Sequence, residues 1–509
     1  MSNNRTYDAI SNSFFGIIGC SISVILNFFV RIILVKQLGA EMNGLHNLFQ
    51  SIANVMTILE LGFSSAMVIH LYKPIALKDI PQIKGIMFFY KKTYIYISCI
   101  YSCIGIVVAL FLLDFLVETT IESYKVKIFF ILFFMSFSIN YLTYYKRSIL
   151  YAEQKNRISS IFAAIGECVF RGLQIIILLY LSNYYLFLIL WILEKLFINI
   201  ACGIYVDKYH PYLKNNQEQI SIIKKRAIFN TIKPLVINQV ANTVTQSAKS
   251  ILISILMGNV SIVGYFGNYQ LITNLIIMVY TQFGGSITSS YGNLSAIGDK
   301  FRLKNAYFNS AFVLDWIAAI FCSGFIVCIN PFIVLAFGEK FLLDQLSIAS
   351  LLLTLVFYLI NIPILSLQNA LGLHRLDSKY MVIQALLSIL LGYIGGIYYK
   401  MPGIFLGLLI PSIMFTTIRK GIHITGYACD INKKEYIKFI LYEFIKIILC
   451  TILSYETCSA IIIESLIIKF IVYGIIACVI GIIVPIFLSN KSVEFLYVKS
   501  LIIKIIRKR

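Results

Sequence analysis

Residues 234–256 read PLVINQVANTVTQSAKSILISIL, a stretch that as a helix is about long enough to cross a lipid bilayer. It carries polar side chains at Gln239, Asn242, Gln246 and Lys249. The steps of three and four residues place all four along one helix face, opposite Leu, Ile, Val and Ala. Because lipid cannot satisfy amides or an ammonium group, that face must meet water or another helix. The stretch predicts one wall of a polar path through a membrane; the alternative is that its amides hold neighbouring helices together.

The composition of the whole chain indicates a membrane protein. Of its 509 residues, 59% are hydrophobic and only 13% are charged. A soluble core cannot bury that much apolar surface, so we predict an all-α polytopic membrane protein. The first residues are polar and the first apolar run is a full span, so we expect no cleavable signal peptide.

Hydropathy predicts fourteen spans, with bounds good to a few residues. They cover residues 13–35, 46–70, 93–113, 127–146, 158–181, 185–206, 234–256, 262–288, 307–329, 347–371, 379–399, 402–422, 436–459 and 467–489. The longest break, residues 207–233, divides the chain into two halves.

The basic residues predict the orientation of the chain. Of the 43 Lys and Arg, 32 fall on the side of the termini, 6 on the other side and 5 within spans. This asymmetry places both termini in the cytoplasm and explains the net charge of +20 without a nucleic-acid partner. The basic loops are expected to lie against anionic membrane lipids. The basic tail, residues 490–509, is either an interfacial amphipathic helix or a solvated segment.

An internal repeat relates the two halves. At a shift of 220 residues, GLHNLFQSIAN at 44–54 matches GYFGNYQLITN at 264–274. The identical residues include Gly44 with Gly264, Gln50 with Gln270, and Asn54 with Asn274. Further matches are Lys78-Asp79 near Asp299-Lys300 and, with a slip of one or two residues, Arg31 near Lys249. Because an even number of spans separates the copies, the repeat is parallel and predicts a substrate site between the halves.

The repeat predicts a positively charged cavity. Arg31 and Lys249 become pseudo-symmetric cations in the outer half of that cavity, and Gln239, Asn242 and Gln246 line it. Steps of four also keep two amide pairs each on one face of the partner helices, namely Gln50 with Asn54 and Gln270 with Asn274. The alternative for Arg31 is that it extends to the outer interface.

Other charges within spans predict ion pairs. Glu167 and Arg171 are four residues apart, with the acid N-terminal, which is the favourable order for a pair on one helix. The adjacent Glu194 and Lys195 are expected not to share a face.

Three further acids lie within or near predicted spans. Glu443 and Lys446 are three residues apart and are expected to form a structural pair. The lone acids Glu60 and Asp315 are candidates for binding a coupling ion.

The sequence predicts neither catalysis nor cofactor binding. It has no glycine-rich loop with a Walker lysine, and no outer loop is long enough for a catalytic domain. The eleven cysteines include no CxxC pair and no metal-binding spacing with His. We therefore expect no catalytic residue, no metal and no cofactor.

Four segments carry a resemblance to a known family. They are VKQLGAEMNGLHNLFQSI at 35–52, LELGFSSAM at 59–67, NPFIVLAFGEKFL at 330–342, and the run LQNALGLHRLDSKYMVIQALLSILLGYIGGIYYKMPGIFLGLLI at 367–410. With the predicted spans, the chain resembles the polysaccharide-exporter branch of the multidrug/oligosaccharidyl-lipid/polysaccharide (MOP) flippase superfamily, and in particular Wzx-type flippases.

The resemblance implies two parallel six-helix bundles around a central cavity, plus two C-terminal helices. The corresponding domains are 1–206, a linker 207–233, 234–422, the extra helices 436–489 and the tail 490–509. It also implies an undecaprenyl-diphosphate-linked oligosaccharide substrate, turned over across a bacterial inner membrane by alternating access. Polysaccharide polymerase and export machinery are the implied partners. The alternatives are a small-molecule or drug antiporter, a membrane glycan polymerase or ligase, and a scaffold that does not transport.

Overall fold

The computed structural model describes residues 2–57, 60, 63–153, 155–214, 218 and 220–507. Within these ranges the regular structure is helical throughout, because long apolar segments in a membrane satisfy their backbone groups inside each helix. The predicted all-α polytopic membrane fold is confirmed. The chain divides into two compact units, Met1–Gly264 and Tyr265–Arg509.

The first unit is built around a long first helix. Its helices are α1 Ser2–Met56, α2 Phe63–Leu77, α3 Ile80–Val107, α4 Leu113–Leu116, α5 Ser123–Tyr144, α6 Arg147–Ala152, α7 Asn156–Leu181, α8 Tyr184–Tyr209 and α9 Ile222–Met257, with a π-helix at Val108–Leu112. At Gly39 the φ of 84° breaks α1 between the first two predicted spans, a backbone conformation that glycine adopts without strain. α1 packs against α7 and α9, and α5 packs against α3 and α8.

The second unit is organised around α11. Helix α10, Val260–Ile297, begins in the first unit and continues into the second. It is followed by α11 Lys300–Ala336, α12 Gln345–Ile360, α13 Ile362–Leu371, α14 Ser378–Pro411, a π-helix Ser412–Lys420, α15 Gly421–Cys429, α16 Lys433–Ser459, α17 Leu466–Ser489 and α18 Val493–Arg507. α11 packs against α12, α16, α17 and α18.

Ten helical stretches of the described chain are long and apolar enough to cross a membrane. Ser378–Cys429, which is broken at Lys400, holds two predicted spans, and Ile22–Met56, which is broken at Gly39, overlaps the first two. Helices α9 and α16 coincide with predicted spans seven and thirteen but are not among the ten. The number fourteen therefore stays a prediction.

Two predicted spans are interrupted in the structure. The predicted second span, residues 46–70, is not one helix, because α1 ends at Met56 and α2 begins at Phe63. The predicted tenth span is interrupted at Asn361, just before Pro363 at the start of α13.

The predicted linker is shorter than residues 207–233. Helix α9 begins at Ile222, inside the basic segment, where Lys224, Lys225, Arg226 and Ala227 are good helix formers. α9 packs on α1 and α2, so the division between the two compact units falls after Gly264 and not in the linker. The arrangement of the spans as two six-helix bundles stays a prediction.

The internal repeat is visible in the local geometry of two helix N-termini. Asp79 and Asp299 are the N-caps of α3 and α11, and each carboxylate accepts a hydrogen bond of 3.0 Å from the backbone N–H three residues later. The residue before each cap has a positive φ, 54° at Lys78 and 78° at Gly298. The same turn chemistry therefore recurs 220 residues apart, as the sequence match predicts.

Asp299→Ala is expected to destabilise the protein by about 0.5–2 kcal/mol, because it leaves the first backbone N–H groups of α11 without their capping acceptor. Asp299→Asn keeps an acceptor and serves as the matched control. The measurement is the unfolding midpoint of the purified protein in detergent. Equal midpoints for the alanine and asparagine variants would contradict the capping role.

Candidate functional site

The polar stripe of α9 lies on an exposed helix face. Asn242 and Gln246 are exposed and Lys249 is half-buried, whereas Ala248 and Leu252 on the other side are buried. In a membrane, exposed amides must border water, because hydrocarbon offers them no hydrogen-bond partner. The side chain of Gln239, the fourth residue of the predicted stripe, lies outside the described side chains.

The Lys249 ammonium group is without a partner in the described part of the chain. Among the residues that the structure describes, none forms an ion pair or a hydrogen bond with it. An unpaired cation within a spanning helix is costly unless water or an anion reaches it. Lys249 is thus available to an anionic ligand.

Arg31 on α1 is directed toward the interior of the first unit. It interacts electrostatically with Tyr184, the first residue of α8, which is only 3% exposed. Its Nε and one terminal nitrogen are buried and have no hydrogen-bond partner within the described chain. A guanidinium group with unfilled donors is suited to binding a multi-oxygen anion such as phosphate.

A buried ion-pair cluster lies between α7 and α8 and is related to Arg31 through His46. Glu194 is fully buried; one carboxylate oxygen accepts a hydrogen bond of 2.7 Å from the Lys195 Nζ, and the other lies 3.3 Å from the Arg171 Nε. The Arg171 guanidinium lies 4.7 Å from the centre of the Trp191 ring and donates to the Gln174 Oε1 at 2.8 Å. Because the cluster is buried, removing one of these groups would leave the charge of its partner uncompensated and destabilise the protein.

Two predictions about this cluster were wrong. Arg171 pairs with Glu194 on the neighbouring helix and not with Glu167 on its own helix. The adjacent Glu194 and Lys195 do meet, because the long lysine side chain curls back onto the carboxylate. Glu167 instead accepts a hydrogen bond from Ser23 on α1 and interacts electrostatically with the other three charges.

His46 connects Arg31 to this cluster, and the sequence analysis did not identify it. Its Nδ1 lies 3.0 Å from the Tyr184 hydroxyl, and its ring centre lies 5.2 Å from that of Trp191. It interacts electrostatically with both Arg31 and Arg171. A histidine within a predicted span was the signal available in the sequence, but its partners lie on distant segments.

Together, Arg31 and the four charges of the cluster have an excess of one positive charge. Glu167 and Glu194 are balanced by Arg171 and Lys195, and Arg31 remains without an acidic partner among the described residues. The region around Arg31 and the cluster therefore favours an anion over a cation.

The amide pairs of the repeat differ between the two halves. The Gln50 Nε2 donates to the Asn54 Oδ1 at 2.8 Å, so both lie on one face of α1 as their spacing predicts. Gln270 is half-buried and Asn274 exposed on α10, and no hydrogen bond joins their side chains in the described part of the chain. Their assignment to a cavity stays a prediction.

The two lone acids occupy different environments. The Glu60 carboxylate accepts a hydrogen bond from the Tyr94 hydroxyl at 3.0 Å and another from Tyr141, so its charge is partly compensated. Asp315 on α11 is 1% exposed, and both carboxylate oxygens are buried without a partner among the described atoms.

Comparisons with known proteins identify the fold. No family model matches the chain. An "Uncharacterized membrane protein in cps region" of Klebsiella pneumoniae is 26% identical over 204 residues, which are 40% of this chain and 40% of that protein. The match thus spans well under half of the curated relative's length.

Solved transporters match much more of the chain. The lipid II flippase MurJ, in an inward closed conformation, is similar over 96% of this chain and 99% of its own, with a TM-score of 0.66 and 17% identity. An inward-facing multidrug resistance MATE family transporter matches over 85% and 98%, with a TM-score of 0.63 and 14% identity. A MOP superfamily transporter from Pyrococcus furiosus matches over 86% and 95%, with a TM-score of 0.52 and 14% identity. The chain is a multi-pass membrane protein with the fold of MOP superfamily transporters.

Proposed function

We propose that this protein is a flippase that turns an oligosaccharide linked to a polyprenyl diphosphate across the bacterial inner membrane. The observation that carries the proposal is Arg31, whose guanidinium group has buried N–H groups without a partner among the described residues. The charges of the nearby ion-pair cluster cancel one another. A diphosphate supplies several anionic oxygens to such a group. The undecaprenyl carrier and the repeat-unit glycan follow from the sequence resemblance.

Two comparisons support the substrate class. The chain shares its fold with a lipid II flippase, and part of it is similar to a membrane protein encoded in a cps region. The exposed amides Asn242 and Gln246, with Lys249 one turn further along α9, offer hydrogen-bond donors and acceptors to a hydrated glycan. Under the proposal, polysaccharide polymerase and export machinery would use the flipped product.

The charge balance separates this proposal from the drug-antiporter alternative, which the MATE likeness keeps open. A transporter of organic cations needs an unneutralised acid in its binding region. In the described part of the first unit, both acids of the cluster are balanced by cations and Arg31 is in excess. Arg31 and this cluster are therefore better suited to an anionic substrate than to a cation, and the lone acid Glu60 is hydrogen-bonded by Tyr94 and Tyr141.

Arg31→Gln is expected to lower flipping about 10- to 100-fold, since a hydrogen bond to a charged group contributes about 1.5–3 kcal/mol and 1.4 kcal/mol is a factor of ten. Lys249→Gln should act in the same direction. Arg31→Lys and Lys249→Arg, which keep the charge, should retain more activity. The measurement is surface polysaccharide in a bacterial host that lacks its own repeat-unit flippase, normalised to the amount of protein in the membrane.

The matched control is Lys36→Gln, which removes an exposed cation from the same helix as Arg31. A direct binding measurement removes the dependence on the host. In a Trp316→Phe background, Trp191 is the single tryptophan and lies beside the cluster, so its fluorescence reports undecaprenyl diphosphate binding. Wild-type polysaccharide levels and unchanged binding in both glutamine variants would refute the proposed role of the cations.

A further inference from the structure

The second unit contains a buried acid that the proposed substrate path does not use. Asp315 lies midway along α11, and both of its carboxylate oxygens lack a partner within the described chain. The Tyr280 hydroxyl on α10 is also buried without a partner there, and Tyr280 interacts electrostatically with Asp315. A buried carboxylate and a buried hydroxyl without hydrogen-bond partners indicate that a small ligand, such as a proton or a water molecule, binds between them.

The only charged groups acting on Asp315 in the described structure lie on α16. They are Glu443 and Lys446, which are each 1% exposed and form an ion pair with one another. The Lys446 Nζ lies 4.3 Å from the centre of the Phe312 ring, one helical turn before Asp315 on α11. This contact places the lysine on the same face of α11 as the aspartate.

With all three groups ionised, the cluster bears one negative charge. Lys446 neutralises Glu443, and Asp315 is left over. A carboxylate that is buried and not hydrogen-bonded is too costly to persist, and it takes up a proton instead. A metal ion would require several oxygen ligands, and within the described residues no group of three or more His, Cys, Asp or Glu is placed to hold one.

Several side-chain hydroxyl groups lie between Asp315 and the N-terminal end of α11. Tyr307 and Tyr436 both interact electrostatically with Asp315 and are hydrogen-bonded to each other. The Tyr291 hydroxyl lies 2.5 Å from the Ser310 Oγ. At the other end of the cluster, Glu494 on α18 acts on Glu443. These groups provide proton donors and acceptors between the cluster and the end of the helix.

We propose that Asp315, surrounded by Glu443, Lys446 and Tyr280, is a proton-binding site of the second unit. The carboxylate takes up one proton to become a neutral carboxyl group, and the charge of the cluster changes from −1 to zero. In the flippase proposed above, and resting on that function, this proton is the coupling ion of the transport cycle.

Infrared difference spectroscopy of the purified full-length protein tests the site itself. As the pH is raised, the wild type is expected to lose the C=O stretching band of one buried protonated carboxyl group. The band should be absent in Asp315→Asn, which is close in shape to the protonated acid. It should be retained in the matched control Asp430→Asn, which changes an exposed aspartate of the same unit.

Glu443→Gln provides a second variant in case Asp315→Asn does not fold. If Asp315 carries the proton, Glu443→Gln keeps a titrating band, because the aspartate is still present, now paired with Lys446 and shifted in its midpoint. Identical spectra for the wild type and Asp315→Asn would overturn the proton site, whatever the protein transports.

Proteoliposomes test the coupling separately. With a fluorescent undecaprenyl-diphosphate-linked sugar, an imposed pH gradient should accelerate flipping by the wild type, whereas Asp315→Asn should flip at the same rate with the gradient as without it. Wild-type flipping that ignores the gradient would overturn the coupling. An infrared band that depends on Asp315, together with no flipping under any condition, would support the proton site and refute the proposed flippase function.

Discussion

Glu194→Leu is expected to cause the largest loss of stability in this protein, about 3–5 kcal/mol in the free energy of unfolding. The substitution removes the carboxylate that holds both Arg171 and Lys195, and leaves the 5%-exposed Arg171 side chain as an uncompensated charge between α7 and α8. Hydrocarbon-like surroundings cannot replace that carboxylate. The measurement is reversible unfolding of the purified protein in detergent, followed by tryptophan fluorescence.

An exposed pair provides the matched control for Glu194→Leu. Glu122→Leu makes the same change in the pair with Lys125, where the two side chains are 60% and 42% exposed, and it should leave the stability nearly unchanged because water screens the pair. The double variant Glu194→Leu/Arg171→Met should recover part of the loss, because it removes the stranded charge as well. Similar losses in the free energy of unfolding for Glu194→Leu and Glu122→Leu would show that the buried pair contributes no more to stability than the exposed pair.

Gly44→Ala is expected to destabilise the first unit by at least about 1–3 kcal/mol, the usual cost of overpacking. A Cβ atom at Gly44 would lie 2.0 Å from the Val260 carbonyl oxygen, and one at Gly264 would lie 2.4 Å from the Ala40 oxygen. Both obstacles are backbone atoms, so no side-chain rotation relieves the clash. The neighbouring Asn43 Nδ2 donates to the Gly264 carbonyl at 2.9 Å, which ties the two segments at this distance.

Gly172→Ala is the matched control for Gly44→Ala, because it adds the same methyl group at a helical glycine that has space for it. Gly172 is inside α7, and nothing lies within 4 Å of a Cβ added there. Alanine should therefore stabilise that helix by roughly 0.5–1 kcal/mol. The unfolding midpoints of the two variants are expected to move in opposite directions, and a fall of equal size in both would contradict the close approach at Gly44.

Patterns within a single helix were predictable from the sequence. The spacing of Asn242 and Gln246 predicts their common face on α9, and that of Gln50 and Asn54 predicts the hydrogen bond between them. Each prediction depends only on the helical period and on neighbours three or four residues apart. The sequence also showed the match of Lys78-Asp79 with Asp299-Lys300, and the structure gives its reason, because both aspartates cap helices through a local interaction.

The partners of buried charges were not predictable in this way. The spacing of Glu167 and Arg171 permits a pair, yet Arg171 meets Glu194 because α8 packs against α7. His46 gave no signal of its position beside Tyr184, which is 138 residues away. A helical period does not specify which other helix lies against a given face, and long side chains such as arginine reach several positions from one backbone site.

The sequence alone determined that this is an all-α, multi-pass membrane protein, because apolar segments of spanning length allow no other backbone hydrogen bonding in lipid. It also located the polar stripe of α9 and the excess of basic residues. Only the tertiary structure decided which charges cancel and which have no partner among the described residues, such as Arg31 in the first unit and Asp315 in the second. The physical reason is that a charge buried away from water is defined by all its neighbours in space, and those neighbours come from distant parts of the chain.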